Sequence, residues 1–420
     1  MSHRPHAVQQ RLRGRARRGL VLSAVAAAAL ASGGLASPAA AQRVETLALP
    51  SAQGNVDLRL IRLNRETRLK ATVLLPDGYD EQPERRWPVL YMLHGIGDNS
   101  GTWVDPKYGN LRQRAARLEA IVVMPEGGRS YWVDQWQGGR REGANVRRYV
   151  LDEVLPAIES RYRILPGRAN HAIGGLSMGG YGAMVIGAEL PSYFGAVVSL
   201  SGLLDLQTWG AVHLVPYFSN VSFTRIWGRP GGAYQKANSP KALLGNLSRS
   251  RLFVSSGSGV VDPTQLLDGA RIIAGGAAEL GSWADAAAFT KSARARGIPT
   301  ELKFRQGAHT WLTWRRDIPH VLAWNPFLTP PDTAATPQRP LTFRTMSAHG
   351  NAWGLGFRFD TKPVALAEFT RAGQTVSATG AGRVTITPGA ADADASGDGS
   401  RTDCRFTAEL PFSYTLPDGC

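Results

Sequence analysis

Short apolar runs alternate with segments of helical spacing along the first 325 residues of the chain. The runs are rich in Val, Leu and Ile, as strands buried on both faces of a sheet are. We expect strands within 56–63, 68–76, 87–95, 118–128, 171–176, 194–205, 251–262 and 300–304. Amphipathic helices are expected within 108–119, 146–162, 181–188 and 286–297. This alternation predicts an α/β fold, with a mostly parallel central sheet and helices on both faces.

The pattern changes beyond residue 327. Segment 328–340 holds several prolines and no apolar run, which is typical of a linker. Residues 341–420 then form short alternating segments separated by Gly and polar turns, a pattern typical of a small β-sandwich. We therefore expect a large α/β domain at 42–327 and a small β-rich domain at 341–420.

The N-terminus has the order of a bacterial signal peptide. Residues 4–18 contain six arginines and no acid, residues 20–36 are apolar, and Ala39 and Ala41 form a small-residue cleavage pattern. The apolar run is short and rich in Ala and Gly, so a transmembrane anchor is the weaker interpretation. We predict that residues 1–41 are a signal peptide and that the protein is secreted or held in the cell envelope.

Charge and cysteine content narrow the classes of partner. The formal net charge of +15 falls to +9 without the six N-terminal arginines, and no Lys/Arg-rich run remains. We therefore expect no nucleic-acid partner. No later apolar stretch reaches membrane-spanning length, so no stable membrane span is expected. The two cysteines, Cys404 and Cys420, are expected to form a disulfide in an exported protein.

An acidic segment, 392–403, has the spacing of a calcium-binding loop. Its flanks, however, have the pattern of strands where such loops have helices, and its last position is Asp403 where they have Glu. A solvated acidic loop is the better interpretation, so we predict no metal site and no cofactor.

The sharpest chemical signal is Gly175-Leu176-Ser177-Met178-Gly179, a G-x-S-x-G between a predicted strand and a predicted helix. In this context the serine lies on a strained strand-to-helix turn, the nucleophile elbow of α/β-hydrolase folds. The glycines avoid clashes with the neighbouring backbone, and the helix N-terminus directs free N–H groups at the reacting oxygen. We therefore predict an α/β-hydrolase fold with Ser177 as its nucleophile.

A serine nucleophile needs a general base, which this fold supplies late in the chain, after the acid. His309 follows the predicted strand 300–304 in a loop, whereas His320 lies where the pattern is helical. A base must reach the serine from a loop at the carboxyl edge of the sheet, so His309 is the predicted base.

The acid that orients this histidine should follow an earlier strand. Asp262 ends the apolar run 251–262 and is the predicted acid on that position. Asp268, six residues later, and Asp205, after the run that begins at 194, remain alternatives.

An oxyanion hole needs two backbone N–H groups, one from the residue after the nucleophile and one from the loop after an early strand. Met178 supplies the first. The second is expected from Ile96, because Gly95 allows the chain to turn this N–H inward. His94 is predicted to be a structural histidine at the strand end, since the base comes later in the chain.

The motifs LHGIGDN, MPEGGRSYWVDQW, GGLSMGGYGAM and GAHTWLTW, with IWG…ANSP at 226–240, occur in this order. Together they resemble the esterase family of α/β hydrolases that includes esterase D, feruloyl esterases and secreted mycolyltransferases. The resemblance covers roughly 55–325 and implies the same nucleophile, base and oxyanion donors. The family tends to use Glu as its acid, where this chain offers Asp262. His94-Gly95-Ile96-Gly97 replaces the Asp-Gly-Leu-Arg type sequence of mycolyltransferases and resembles the plainer esterases.

Tryptophans near these motifs offer flat, amphipathic walls for a sugar or an acyl chain. Trp132, Trp136 and Trp311 are the predicted substrate-binding residues, with core packing as the open alternative. The leading hypothesis is a secreted serine esterase or acyltransferase that forms an acyl-serine intermediate on a small-molecule or glycolipid ester. Transfer of an acyl group to a sugar of the cell envelope is one alternative, and a non-catalytic protein that binds an envelope glycan is another.

Overall fold

The computed structural model describes residues 42–63, 68–136, 143–261, 271–329, 340–389 and 404–420. The predicted signal peptide, most of the predicted linker, Asp262, Asp268 and the acidic segment 392–403 lie outside these residues. Within the described part of the chain, no helix has the length and apolar character needed to cross a bilayer.

Eight strands form one sheet in the order β1-β2-β4-β3-β5-β6-β7-β8. They are β1 Val44–Ala48, β2 Lys70–Leu74, β3 Val89–Leu93, β4 Ile121–Pro125, β5 His171–Leu176, β6 Ala196–Leu200, β7 Arg251–Gly257 and β8 Thr300–Arg305. β2 pairs antiparallel with both β1 and β4, and the six strands from β4 to β8 in the sheet order pair parallel. The predicted α/β fold with a mostly parallel sheet is therefore confirmed.

Helices connect the strands as the alternation predicts. They are α1 Leu111–Arg114, α2 Val146–Tyr149, α3 Leu155–Arg161, α4 Met178–Glu189, α5 Trp209–Ser219, α6 Phe223–Trp227, α7 Ala233–Lys236, α8 Arg271–Arg294 and α9 Trp311–Trp324. A π-helical turn, Val150–Val154, joins α2 to α3. The helix expected within 108–119 is a single turn, which Asn110 precedes in the left-handed conformation, with φ of 48°.

The strand expected within 56–63 is wrong, since this segment is a series of turns. The Asp57 carboxylate accepts the backbone N–H of Arg59 at 2.9 Å, and the Leu60 N–H reaches the Asp57 carbonyl at 3.1 Å. Such local hydrogen bonds compete with a sheet ladder. The outer strand is instead β1, which lies earlier in the chain.

The continuous apolar runs have a direct structural reason in β3. Val89, Tyr91 and Leu93 pack into one hydrophobic core, while Leu90 and Met92 pack into a second core on the opposite face. Both faces of the sheet are covered, so every position of the strand is buried.

The C-terminal region forms two four-stranded antiparallel sheets, in the orders β10-β11-β14-β15 and β16-β13-β12-β9. Their strands are β9 Leu341–Thr345, β10 His349–Ala352, β11 Leu355–Phe359, β12 Ala367–Ala372, β13 Thr375–Thr379, β14 Arg383–Pro388, β15 Phe406–Glu409 and β16 Phe412–Thr415. Side chains of both sheets share one core, in which the rings of Phe357 and Phe369 stack at 5.3 Å. This confirms a small sandwich-like β region, and the predicted Cys404–Cys420 disulfide is present in it.

Candidate active site

Ser177 lies on the tight turn between β5 and α4. Its φ of 52° and ψ of −120° are unusual for a residue with a side chain, and its N–H is held by the Leu200 carbonyl at 2.8 Å. A Cβ on Gly179 would lie 2.1 Å from the Leu93 carbonyl oxygen, and one on Gly175 would lie 2.5 Å from the Gly179 backbone. The two glycines therefore allow the backbone approach that this turn requires.

His309 reaches the turn from the loop between β8 and α9. Its Nε2 lies 2.7 Å from Ser177 Oγ, although the two residues are 132 positions apart in the chain. The backbone N–H of His309 donates to the Gly275 carbonyl at 3.0 Å. The imidazole ring packs edge-on against Trp314, with ring centroids 4.9 Å apart. The imidazole is therefore fixed from two sides in a position to accept the serine proton.

Glu279, on α8, supplies the carboxylate beside this histidine. It is fully buried, and its Oε2 lies 2.6 Å from His309 Nδ1. Its Oε1 accepts hydrogen bonds from the Ser201 hydroxyl at 2.6 Å and from the Gly257 N–H. Burial alone would raise the pKa of Glu279, but these hydrogen bonds and the adjacent histidine hold it below its ordinary value. The carboxylate thus stays ionised and keeps the proton of a neutral imidazole on Nδ1.

Glu279 was not found from the sequence, which pointed to Asp262. Asp262 lies outside the described residues, whereas Glu279 makes all the contacts expected of the orienting acid. The acid is expected at or soon after the end of a strand, whereas Glu279 lies in the third turn of the long helix α8. One signal was available: Glu279 is the only charged residue in the stretch 272–284, which is otherwise small, apolar or neutral.

The two predicted oxyanion donors lie beside the nucleophile. Met178 is the first residue of α4, so its N–H belongs to the first turn, which a helix leaves without internal acceptors. Ile96 and Met178 both line the cavity that contains Ser177. A Cβ on Gly95 would lie 2.6 Å from the Leu176 side chain, which explains a glycine at this point of the loop.

A second His–Glu pair holds the loop of residues 94–100, which contains Ile96 and is called the oxyanion loop after its predicted role. The His94 ring is fully buried; its Nδ1 donates to the Gly95 carbonyl at 2.8 Å, and its Nε2 lies 3.2 Å from Glu126 Oε1. Glu126 Oε2 accepts the Ser100 N–H at 3.1 Å. Glu126 therefore contacts both ends of the loop. This contact pattern is that of the structural histidine predicted for His94.

The pKa values of this pair shift in opposite directions. Burial would lower the pKa of His94, but the hydrogen bond and the charge of Glu126 raise it above its ordinary value. Burial would raise the pKa of Glu126, but His94 and the N–H groups of Gly128 and Ser100 lower it. Each partner thus favours the charged form of the other.

The structure separates the three predicted substrate-binding tryptophans. Trp132 is fully buried and donates from Nε1 to the His94 carbonyl at 3.2 Å, so it packs in the core under the oxyanion loop. Trp311 donates to Asp98 Oδ1 at 3.2 Å and supports the same loop. Trp136 is 37% exposed and lies 5.0 Å from the Tyr234 ring. None of the three is among the described residues that line the Ser177 cavity.

The cavity at Ser177 and His309 has a volume of about 360 Å³. It extends between α5 and α8, and its wall is largely apolar, although α8 also contributes Ser282 and the carboxylate Asp285. The aliphatic and small lining residues are Ile96, Met178, Leu203, Gly210, Ala211, Val215, Ala277, Ala278, Gly281 and Ala284. Such a wall fits the hydrocarbon part of a substrate.

Residues 62–324 match the family model described as "Putative esterase". The chain belongs to this esterase family. Esterase Rv1288 of Mycobacterium tuberculosis (strain ATCC 25618 / H37Rv) is 30% identical over 220 residues, which are 47% of this chain and 46% of that protein. The diacylglycerol acyltransferase/mycolyltransferase Ag85A of Mycobacterium gordonae is 30% identical over 187 residues, 41% of this chain and 53% of that protein. The chain thus spans about half the length of these curated relatives.

The solved structure of Mycobacterium tuberculosis MPT51 (FbpC1) resembles this chain with a TM-score of 0.51 and 22% identity, over 68% of this chain and 98% of that one. An S-formylglutathione hydrolase from Agrobacterium tumefaciens gives 0.51 at 16% identity, over 69% and 96% of the two chains. These likenesses support the α/β-hydrolase fold alone. Together with the family match, they confirm the predicted fold class and the predicted resemblance.

Proposed function

We propose that this esterase-family protein acts on carboxylic esters as a serine hydrolase or acyltransferase, through an acyl intermediate on Ser177. The observation that carries the proposal is the continuous chain of contacts from Ser177 Oγ to His309 Nε2 and from His309 Nδ1 to Glu279, at 2.7 and 2.6 Å. A nucleophile, a base and an orienting carboxylate in this arrangement are what acyl transfer requires.

In the first half-reaction, His309 Nε2 takes the Ser177 proton while Oγ bonds to the ester carbonyl carbon. The carbonyl oxygen becomes an oxyanion, for which the N–H groups of Met178 and Ile96 are the proposed donors. Glu279 stabilises the imidazolium and does not take its proton. Collapse of the tetrahedral intermediate breaks the bond to the alcohol oxygen, which leaves with the proton from Nε2.

In the second half-reaction, a water molecule or the hydroxyl group of a second alcohol donates its proton to His309 Nε2 and attacks the acyl carbon. The proton then returns to Ser177 Oγ as the acyl–serine bond breaks. The apolar wall between α5 and α8 supports an acyl group with a hydrocarbon part, because burying apolar surface in a preformed pocket is favourable.

Labelling with a fluorophosphonate probe tests the nucleophile. We expect stoichiometric labelling of the wild-type protein and none of the Ser177→Ala variant. Ser282→Ala is the matched control, since Ser282 lines the same cavity and should leave labelling intact. A folded wild-type protein that is not labelled and hydrolyses no ester would instead support the alternative of a non-catalytic glycan-binding protein.

The choice between hydrolysis and transfer is tested by a screen of esters of increasing acyl length, with and without trehalose as acceptor. The relative named Ag85A is described as an acyltransferase and mycolyltransferase, and this motivates the acceptor arm. We favour hydrolysis, because the early loop reads His94-Gly95-Ile96-Gly97, the form that resembles plain esterases. A trehalose ester as the main product would reverse this choice.

Export by the N-terminal segment 1–41 and a cell-envelope or secreted location are part of the same proposal. They are supported by the order of charged, apolar and small residues in that segment, and by the Cys404–Cys420 disulfide, a bond typical of oxidising compartments. Mass spectrometry of the protein from the culture medium and envelope should find a mature N-terminus at Gln42.

A further inference from the structure

A second cavity lies where the region of the eight-stranded sheet and its helices meets the C-terminal sheets. Its volume is about 260 Å³, and it shares no described lining residue with the Ser177 cavity. Asn55, Asp134 and the 145–152 segment line it on one side, and Ser347, Ala348, His349 and Lys362 line it on the other. We call it the seam cavity.

The seam cavity is preformed, because direct hydrogen bonds fix its two sides relative to each other. The backbone N–H of Arg344 donates to Asn246 Oδ1 at 2.8 Å, and Asn246 Nδ2 donates to the Arg344 carbonyl at 2.9 Å. The Trp353 N–H donates to Ser192 Oγ at 2.7 Å. In the wall of the cavity itself, Arg148 Nη1 lies 3.2 Å from His349 Nε2.

One buried side chain of the seam cavity lacks a partner for part of its polar surface. Arg147 is 4% exposed, and its Nη1 donates to Asn238 Oδ1 at 3.1 Å, while Nη2 lies 3.6 Å from Asp134 Oδ2. Its Nε has no hydrogen-bond partner among the described residues. Buried N–H groups are nearly always satisfied in folded proteins, so this donor leaves the wall of the cavity one acceptor short.

The charges around the cavity balance, which argues against a strongly anionic or cationic ligand. The wall carries three cationic side chains, Arg147, Arg148 and Lys362, and two carboxylates, Asp134 and Asp152. A third carboxylate, Glu189, lies behind the wall, where it accepts a hydrogen bond from the Ser347 hydroxyl. Its negative charge favours the charged form of Arg147. An ion of either sign would therefore meet like charges as well as opposite ones.

The same wall offers many donors and acceptors at short range. Asn55 and Asn145 can each donate and accept, the carboxylates accept, and the guanidinium groups donate. A ligand that both donates and accepts from every side satisfies such a wall, and a polyhydroxylated molecule has this chemistry. The volume equals that of about nine water molecules in the liquid, which suits one small ring with its hydroxyl groups.

From this combination we propose that the seam cavity binds a neutral sugar unit, at a site separate from the ester-cleaving centre. The site needs both sides of the seam, so the C-terminal sheets would serve to bring the protein to a glycan. The proposal is independent of the esterase mechanism, because no residue of the seam cavity takes part in it.

Titration of the full-length mature protein with the methyl glycosides of glucose, galactose, mannose and arabinose tests the proposal, with ligand-observed NMR as the readout. At least one glycoside should bind with a Kd in the millimolar range. Ala348→Phe, which fills the cavity, should raise that Kd by about tenfold or more, a loss of about 1.4 kcal/mol. Ala381→Phe is the matched control in an exposed turn of the same sheets and should leave the Kd unchanged.

Lys362→Met gives a second variant that keeps the length of the side chain and should also weaken binding. Hydrolysis of a short-chain ester by Ala348→Phe should equal that of the wild type, which separates this test from the test of the proposed function. Three results would overturn the proposal: no glycoside binds, Ala348→Phe binds as well as Ala381→Phe does, or inorganic phosphate binds at the cavity in place of the sugars.

Discussion

Two His–Glu pairs flank Ser177, and they differ in what surrounds each histidine. His309 lies on a loop, 19% of its side chain is exposed, and its Nε2 faces Ser177 Oγ. His94 lies at the end of β3, has no exposure, and has both ring nitrogens in contact with its own loop and Glu126. The same pair of side chains therefore leaves a ring nitrogen facing the serine hydroxyl in one place and holds a loop with both ring nitrogens in the other.

The difference follows from which atom is left available. In the His309–Glu279 pair the carboxylate contacts Nδ1, so Nε2 is available to the Ser177 hydroxyl. In the His94–Glu126 pair Nδ1 is used by the Gly95 carbonyl, and Nε2 lies near both Gly127 N and Glu126. A buried His–Glu contact is therefore not sufficient for catalysis; one nitrogen must face the reacting group.

The largest expected effect on kcat comes from replacing the histidines of the two pairs, His309 and His94, one at a time with an uncharged residue. His309→Ala should lower kcat about 10³-fold or more with little change in Tm, because it removes the base from a partly exposed loop. His94→Asn should lower Tm strongly and kcat less, since it removes buried contacts. Ester hydrolysis and thermal unfolding of both variants measure this. Equal losses of kcat without loss of Tm would contradict the division of roles.

The next effect concerns the carboxylate that orients His309. Glu279→Gln should lower kcat by about 10²- to 10⁴-fold, because the amide no longer holds the productive tautomer or stabilises the imidazolium. Asp262→Asn is the matched control, as it tests the acid expected from the sequence, and it should retain activity within about threefold. The reverse result would restore Asp262 as the acid and leave Glu279 as a structural residue.

Strand ends were the part of the site that the sequence could predict. His94 and Ser177 each follow the last residue of a parallel strand, β3 and β5, and a run of apolar residues that ends in a polar one marks such places. Parallel strands end at one edge of the sheet, so residues that follow such strands lie close together. The order of the motifs then allowed His309 to be assigned to the loop after β8.

Residues on helices could not be placed in the same way. Glu279 reaches His309 because α8 packs beside β7, and the rotation of a helix over its strand is set by packing that the sequence pattern does not encode. The role of a tryptophan is hard to predict from the sequence for a related reason. Trp132 fills the space beside Gly127 and Gly182, where a Cβ on either glycine would lie within 2.6 Å of the tryptophan. Composition cannot distinguish a tryptophan that fills space in this way from one that forms a binding surface.

A smaller effect is expected at the second carboxylate. Glu126→Gln should lower kcat by about 10- to 100-fold with little change in KM, because a displaced oxyanion loop stabilises the transition state less than the wild-type loop does. Tm should fall as well, since Glu126 also holds the Ser100 N–H. Steady-state kinetics and thermal unfolding test this. Unchanged kcat alongside a lowered Tm would limit Glu126 to stability.

The smallest effect is the dependence of stability on pH. The folded-state pKa of His94 is raised above 6.5, so its stabilising contribution is complete below that pH and is lost as the pH rises through the folded value. The folded-state pKa of Glu126 is lowered below 4.5, so its contribution is lost as the pH falls through the folded value. The wild-type Tm should therefore decline from pH 6.5 upward, and Glu126→Gln should decline less steeply.

Only part of this contribution should disappear at high pH, because the neutral His94 ring can still accept the Gly127 N–H at 3.1 Å. His309→Ala is the control for the slope, since it leaves the His94–Glu126 pair intact. Unfolding curves between pH 6 and 9 for the three proteins decide the matter. If Glu126→Gln kept the wild-type slope of Tm against pH, the charge on His94 would not depend on Glu126. The two His–Glu pairs would then differ only in the groups that surround them.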